Sequence, residues 1–289
     1  MKIDLNMNLN KISEISHIAL DTLLCDRTTD KSILDTGRDS FIPYSFIPEL
    51  VPRALRDKEV NKDRSKSKAE IFTPIRIVNQ MNTMVLKDWF ESKSKNMNKE
   101  SVFEEYIDST QMEITCGEGV FLCTRYDSET GEIIELKNRV GLLDHKVHKL
   151  IDSFFNRNNG RNNSKSKIDD KELFYSYLIR IAKSIYGYEY QGDSLLMARV
   201  NNLMSYIEYY SYIFEEDMDG RVIEELADII SWNIFQMDGL TQCIPKKEVV
   251  VDKKNKQKNY VAVNGIGVNI MNWRENKIEL FGAECGVKD

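Results

Sequence analysis

The chain has 289 residues, of which 42% are hydrophobic and 30% are charged, so it can bury a sizeable core as one large domain or two ordinary ones. Forty basic against 46 acidic residues give a formal charge of −6, whereas proteins that bind nucleic acid alone usually carry a basic excess. No apolar run reaches the roughly 20 residues of a membrane span, and the N-terminus lacks the features of a signal peptide. We therefore expect a soluble, cytoplasmic protein with no membrane partner.

Metal binding is not expected. The five cysteines are scattered and form no Cys-x-x-Cys pair, and the chain has only three histidines, so a zinc finger or ribbon has no ligand set. His145 and His148 lie three residues apart on a predicted helix, but no third ligand is evident beside them. A pair of surface histidines is the simpler interpretation.

The N-terminal part of the chain is predicted to be helical up to about residue 70. Apolar residues recur at helical spacing through the first 25 residues, which predicts an amphipathic helix. A second helix is predicted over residues 73–90, with Thr73 as its N-cap and Pro74 in its first turn.

Short apolar segments and helical segments then alternate through a predicted core over residues 71–245. We predict strands at residues 111–114, 185–190 and 229–235. Helices are predicted directly after the glycines of residues 115–119, over 142–155 and 171–184, after Asp193 as an N-cap, and over 221–228, with an inserted loop near 156–168. This alternation predicts an α/β fold whose parallel sheet is covered by helices on both faces. Residues 246–289 contain two predicted β-hairpins and form a small β appendage.

Three candidate sites follow the predicted strands, at the edge where open α/β sheets bind ligands. Gly117 and Gly119 allow a tight turn and a close approach of the backbone to a ligand. Glu189 is placed to accept both hydroxyls of a ribose, and Asp238 is placed to accept from an adenine amino group. Each signal alone is weak, because each residue could equally belong to a turn or an exposed strand end.

In this order, the segments resemble the adenine-specific, S-adenosylmethionine-dependent DNA methyltransferases of restriction-modification systems, in particular their short modification subunits. The resemblance is carried by Phe72-Thr73-Pro74, by residues 113–122 with Cys116-Gly117-Glu118-Gly119, by residues 185–189 with 198–204, and by residues 233–240. It implies a Rossmann-like methyltransferase sheet and S-adenosyl-L-methionine as the cofactor. It also implies that the cofactor is held by Phe72, Thr73, Pro74, Glu113, Thr115, Cys116, Gly117, Gly119, Glu189 and Asp238.

The chain departs from this family at the catalytic element. The family carries Asn/Asp-Pro-Pro-Tyr/Phe after the aspartate segment, to hold the flipped adenine, whereas here the only proline beyond Pro74 is Pro245. Catalytic residues therefore stay unassigned. We expect a modification subunit that reaches DNA in a complex with a second protein subunit. The alternative is a catalytically inactive binding or assembly protein of a defence system that keeps the methyltransferase fold.

Two basic segments, residues 53–68 and 246–258, each carry a local net charge of +4. Solvated surface runs are the simpler interpretation, and contacts to DNA phosphates are the functional one. The candidate contacts are Arg64, Lys66, Lys68, Lys253, Lys254 and Lys256. If they bind DNA, both segments should flank the mouth of the cofactor crevice.

Overall fold

The computed structural model describes residues 1–34, 49–68, 73–93, 98–158, 164–251, 258–263 and 266–281. Two helices, α1 (Leu5–Ile15) and α2 (His17–Leu24), replace the single helix predicted at the N-terminus. Ser16 separates them, because its backbone is extended and its hydroxyl accepts from the Ala19 N–H in the first turn of α2. The apolar faces of both helices belong to the main core.

Shorter elements follow before the parallel sheet. They are the antiparallel pair β1 (Cys25–Asp26) and β2 (Lys31–Ser32), a 3-10 turn at Arg53–Leu55, α3 (Lys58–Lys68), α4 (Ile75–Lys93) and α5 (Lys99–Asp108). Helix α4 begins one residue later than predicted. The Pro74 carbonyl accepts the first helical hydrogen bond, from the Val78 N–H at 3.1 Å, so Pro74 rather than Thr73 occupies the N-cap position.

The centre of the fold is a parallel sheet of β3 (Gln111–Glu113), β4 (Ile185–Glu189) and β5 (Ile234–Gln236), in the order β3-β4-β5. Gln111 pairs with Ile185, and Gly187 pairs with Ile234. Every residue of β4 is buried, as expected of a strand between two parallel neighbours and two covered faces. The prediction of an α/β fold with parallel, adjacent strands is confirmed.

Long helical crossovers connect these strands. Helices α6 (Leu142–Asn158) and α7 (Ser164–Ser184) join β3 to β4, and α8 (Gly192–Phe214) and α9 (Gly220–Asn233) join β4 to β5. Helices α2, α7 and α8 all pack on α9, so the N-terminal helices lie against the crossover layer. No helix in the described ranges is long and apolar enough to cross a bilayer.

Three boundaries in the crossovers differ from prediction. The predicted loop near 156–168 is wrong at both ends, where α6 and α7 extend into it, and residues 159–163 lie outside the described part of the chain. The predicted strand over 229–235 is wrong in its first five residues, which complete α9. Asp193 is the second residue of α8, whose N-cap position is held by Gln191.

Two hairpins complete the described chain, as predicted. They are β6 (Lys246–Val251) with β7 (Lys258–Val263), and β8 (Asn269–Asn272) with β9 (Lys277–Leu280), each an antiparallel pair separate from the parallel sheet. Val268, just before β8, and Phe281, just after β9, pack with Tyr188 and Phe235 in a second apolar cluster. The second hairpin therefore anchors on the strands that carry the candidate site.

Arg199, in α8, is fully buried and joins four elements, α2, β1, α9 and β5, through backbone carbonyls. Its Nε donates to the Ile234 carbonyl at 2.7 Å, one Nη donates to Leu23 and Cys25 at 2.7 and 2.8 Å, and the other donates to Ser231 at 2.8 Å. Burial lowers the pKa of this guanidinium to about 10, which still leaves it charged at neutral pH. The positive charge sits at the C-terminal ends of α2 and α9, where helix dipoles favour it.

We predict that Arg199→Met destabilises the protein by at least about 3 kcal/mol, because each buried carbonyl left unpaired costs roughly 1–3 kcal/mol. Urea denaturation followed by circular dichroism measures this loss. Arg221→Met is the matched control, since the Arg221 side chain is 89% exposed and pairs only with nearby Asp219 among the described residues. Equal losses in the two variants would contradict the structural role of Arg199.

Candidate functional site

The three parallel strands end side by side, and backbone hydrogen bonds join the residues that follow them. The Cys116 N–H, beyond β3, donates to the Tyr188 carbonyl at 2.8 Å. The Met237 N–H, beyond β5, donates to the Glu189 carbonyl at 3.1 Å. The segments that carry Cys116, Glu189 and Asp238 therefore meet at one edge of the sheet.

The segment that follows β3, residues 114–119, is here called the glycine loop, and it turns through left-handed backbone. The φ angles are 53° at Thr115, 55° at Gly117 and 80° at Gly119. A Cβ atom at Gly119 would lie 3.2 Å from the Cβ atom of Ala198, so the loop packs tightly on α8. Glycine meets both the left-handed backbone and the close approach without steric cost.

The helix predicted directly after the glycine loop is wrong. Residues 120–122 continue in turns, and the next α-helix, α6, begins at Leu142. Left-handed residues interrupt the right-handed repeat that a helix needs, so the apolar residues after Gly119 enter the core from a turn. A ligand at this position would therefore meet turn backbone rather than the free amides of a helix N-terminus.

Glu189, at the end of β4, ties the glycine loop to the start of α8. Its Oε2 accepts from the Gly117 N–H at 2.9 Å, and its Oε1 accepts from the Gln191 N–H at 3.0 Å. The carboxylate is buried, and both of its oxygens accept a backbone N–H. It therefore organises the site even before any ligand is considered.

Asp238, two residues beyond β5, lies in a tight turn. Its N–H donates to the Cys243 carbonyl at 2.8 Å, and its Oδ1 accepts from the Leu240 N–H at 2.9 Å. Burial and the nearby Asp238 charge raise the pKa of Tyr190, the residue after Glu189. The electrostatic influence of Asp238 thus extends to the segment that leaves β4.

Cys116, within the glycine loop, is buried, and Glu113, at the end of β3, is half-buried. Burial raises the pKa of Glu113 well above its ordinary value and Glu189 adds to the rise, whereas the amides of Leu122 and Phe121 oppose it. Its Oε2 is buried and has no hydrogen-bond partner within the described residues. Burial also raises the pKa of Cys116 well above its ordinary value, so this sulfur is a thiol at neutral pH rather than a nucleophilic thiolate.

Thr73 and Pro74 lie against the chain that follows the glycine loop. The Ser128 hydroxyl donates to the Thr73 carbonyl at 2.9 Å. Asn82, on α4, donates to the Phe121 carbonyl at 3.2 Å. No contact between described residues joins Thr73 or Pro74 directly to Glu189 or Asp238, and Phe72 lies outside the described residues.

Two clefts lined by described residues lie away from Glu189 and Asp238. One cleft of about 360 Å³ lies between the segment 49–64 and the start of α8, and it is lined by Leu50, Leu55, Arg56, Val60, Arg64, Asp193 and Met197, among others. A second, more N-terminal cleft of about 470 Å³ shares its Glu49 to Val51 wall. Their lining residues belong to the N-terminal segments and to the start of α8, and they do not include Cys116, Glu189 or Asp238.

The predicted basic strip on α3 divides into inward and outward residues. Arg64 forms a two-point ion pair with Asp193 on α8, with distances of 2.8 and 3.1 Å. Lys58, Lys62 and Lys66 are exposed and recur every four residues, so they form a row along the outer face of α3. Lys68 is the last residue of α3, and Lys253, Lys254 and Lys256 lie outside the described residues.

Sequence reasoning missed Glu118, although it lies between the two glycines of the loop. Its carboxylate is buried, with Oε1 accepting from the Arg53 N–H at 2.8 Å and Oε2 accepting from the Tyr126 hydroxyl at 2.7 Å. The sequence signal was an acid inside an otherwise small and apolar loop. Its partners are 65 and 8 residues away, which no local pattern shows.

His148 belongs to a buried hydrogen-bond network rather than to a cluster of metal ligands. Its Nε2 lies 2.8 Å from the Leu136 carbonyl and 3.0 Å from the Tyr209 hydroxyl, which in turn donates to Asp144 at 3.0 Å. Across the described ranges, no group of three or more His, Cys, Asp or Glu side chains is arranged to hold a metal ion. This network fixes α6 against α8.

Comparisons with protein-family models, with curated proteins and with solved structures found no match to this chain. The function is therefore argued from the geometry of the strand ends and from the sequence motifs.

We predict that Glu113→Gln stabilises the protein at pH 8 and that this advantage disappears toward pH 4. The raised pKa means that folded Glu113 retains a proton at a pH where the unfolded chain has lost it, so its contribution to stability falls as pH rises above the ordinary value near 4.3. Urea denaturation of both proteins between pH 4 and 8 measures the difference. A constant difference across this range would contradict the raised pKa.

Proposed function

We propose that this chain is the S-adenosyl-L-methionine-binding modification subunit of an adenine DNA methyltransferase, in a restriction-modification or phage-defence system. The proposal rests on the hydrogen bond from the Gly117 N–H to Glu189. This bond lies at the edge of the parallel sheet where the segment that carries Asp238 also leaves its strand. The motif that resembles a cofactor loop and the acid that resembles a ribose ligand thus meet in space, although they are 72 residues apart. Ligands of open α/β sheets bind at this edge.

The acceptors present at the strand ends suit the polar groups of this cofactor. Carboxylates accept hydrogen bonds from hydroxyl and amino groups, so Glu189 is an acceptor for ribose hydroxyls and Asp238 is an acceptor for the adenine amino group. An ammonium group beside the Oε2 of Glu113 would give this atom a partner and would lower the raised pKa of the carboxyl group. When bound, the cofactor supplies an electrophilic methyl group, while these side chains of the chain bind and orient it.

The chain lacks a visible clamp for the methyl acceptor. An adenine amino group becomes nucleophilic when hydrogen-bond acceptors draw its lone pair out of conjugation with the ring, in line with the methyl group. The tetrapeptide that does this in the family has no counterpart in the sequence, whose last two prolines are Pro74 and Pro245. A partner subunit that carries the clamp and reads the DNA site completes the proposed enzyme.

We predict that the purified chain binds S-adenosylmethionine and that Glu189→Gln weakens binding by about 1.5–3 kcal/mol, the usual range for a hydrogen bond to a charged group. The amide replaces one acceptor by a donor, which opposes both the ligand hydroxyl and a backbone N–H. Isothermal titration calorimetry measures the affinity.

Glu129→Gln is the control, because Glu129 is exposed and lies outside the strand ends. Urea denaturation of each variant separates lost affinity from lost folding, since Glu189 also holds the glycine loop. If neither S-adenosylmethionine nor S-adenosylhomocysteine produces heat with the wild-type chain or with the chain plus its candidate partner, the proposal fails.

Methyl transfer separates the proposed subunit from an inactive assembly protein. We predict that the chain mixed with the product of an adjacent reading frame transfers labelled methyl groups to adenine in duplex DNA, whereas the chain alone does not. Cofactor binding without transfer under any pairing would favour the assembly protein.

DNA contact is expected through the lysine row on α3. We predict that Lys58→Glu, Lys62→Glu and Lys66→Glu together weaken duplex binding by the assembled complex and flatten its salt dependence by about 2 to 3 in log–log slope, about 0.9 per lost phosphate contact. Cofactor affinity measured without DNA should not change. Fluorescence anisotropy at several salt concentrations measures the slope.

The matched control reverses three exposed lysines elsewhere, namely Lys11, Lys137 and Lys277. It changes the net charge by the same amount but leaves α3 intact. The same loss of slope in both triple variants would show a general charge effect and would contradict a DNA surface on α3.

A further inference from the structure

The glycine loop is fastened to the segment 49–56 through Glu118. The carboxylate, 4% exposed, accepts from the Arg53 backbone N–H and the Tyr126 hydroxyl at 2.8 and 2.7 Å. The Asn201 side chain on α8 donates to the Glu118 carbonyl at 3.0 Å. Glu118 cannot shift without breaking or moving these bonds.

Arg56 adds a charged link between the same elements. Its guanidinium lies 3.8 Å from Glu118 and 3.9 Å from Asp193, at the start of α8, while its Nε donates to the Val51 carbonyl at 2.7 Å. Arg64 of α3 pairs with the same Asp193. Segment 49–56 and α3 are therefore bound to both walls of the candidate cofactor site, the glycine loop and the start of α8.

On the opposite face of α3, no described side chain forms a hydrogen bond or ion pair of this kind with the core. Lys58, Lys62 and Lys66 are exposed on this face, while Arg64 and Asn61 are partly buried. The helix thus has one face tied to the core beside the cofactor site and another that presents cations to solvent.

We propose that Glu118 is a positioning residue that couples the glycine loop to α3, so that a ligand bound at the loop also sets the position of the lysine row. The inference rests on the proposed function, because it takes S-adenosylmethionine as the ligand of the loop. Glu118 is flanked by Gly117, whose N–H bonds to Glu189, and by Gly119, which packs on α8. A ligand that changes either contact moves Glu118, and through it the Arg53 amide. By thermodynamic reciprocity, contact of the lysine row with phosphates strengthens cofactor binding by the same factor.

Amide hydrogen exchange of the full chain, with and without S-adenosylmethionine, tests the coupling. In the wild type, the cofactor should slow exchange in the glycine loop and also at Arg53 and in α3, by at least about fivefold, the lower end of typical coupling between sites. In Glu118→Ala, slowing in the loop should persist, while slowing at Arg53 and α3 is lost. Glu129→Gln should behave as the wild type.

Glu118→Gln serves if the alanine variant does not fold. It keeps the side-chain volume and one acceptor but loses the charge that faces Arg56, so the slowing in α3 should be reduced while that in the loop remains. Slowing confined to the loop in the wild type, or unchanged slowing of α3 in a folded Glu118 variant, overturns the coupling and leaves the proposed function intact. Absence of S-adenosylmethionine binding to the wild type overturns both.

Discussion

The buried guanidinium of Arg199 is the constraint on which the placement of the site depends. It holds the C-terminal ends of α2 and α9 and the first residue of β5 around one side chain of α8. Removing this cation from water is costly, and the four carbonyls, the two helix dipoles and the nearby charge of Asp26 offset that cost. Helix α8 starts just after Glu189, and β5 ends just before Asp238. The Arg199 side chain therefore fixes the relative position of these two candidate cofactor-binding residues.

Buried carboxylates join the remaining segments at the same edge of the sheet. Glu189 accepts two backbone N–H groups from separate segments, and Glu118 accepts one N–H and one hydroxyl. Hydrogen bonds to charged acceptors are stronger than those to neutral acceptors. Each of these carboxylates therefore holds together segments that are far apart in the sequence. An acid used in this way has fewer lone pairs for a ligand. Changes at Glu189 therefore affect loop geometry and ligand affinity together, and stability must be measured beside affinity.

The sequence predicted the order and parallel pairing of the strands because apolar segments of strand length alternate with helical periodicity. It was wrong where one pattern suits two structures. The apolar run over 229–235 is compatible with a strand and also with the buried face of a helix. In the structure, its first five residues belong to α9 and only its last two belong to β5. The apolar residues after Gly119 suggested a helix, but the left-handed backbone at Thr115, Gly117 and Gly119 stops one from starting.

Long-range partners lay beyond the reach of sequence patterns. Glu189 was found because its position after a strand has a general meaning in α/β sheets. Glu118 was not, because its role comes from Arg53, which is distant in the chain and contributes a backbone N–H rather than a recognisable side chain. Residues that act through backbone partners leave no compositional signal. The candidate site was therefore predictable at its strand ends and not at its connection to α3.

The division of cations on α3 follows from the chemistry of the two basic side chains. Arginine forms planar, two-point pairs with carboxylates and tolerates partial burial, as Arg64 does with Asp193, whereas lysine is strongly hydrated and stays at the surface. Among the described side chains of the strip, the arginines are thus engaged in holding the fold, and the exposed cations are Lys58, Lys62 and Lys66, beside the exposed acids Glu59 and Asp63. Three lysines offset by two acids, on a chain of net charge −6, supply little counterion release. In the proposed complex, the remaining cations for DNA come from the second subunit, which is also proposed to carry the clamp for the adenine.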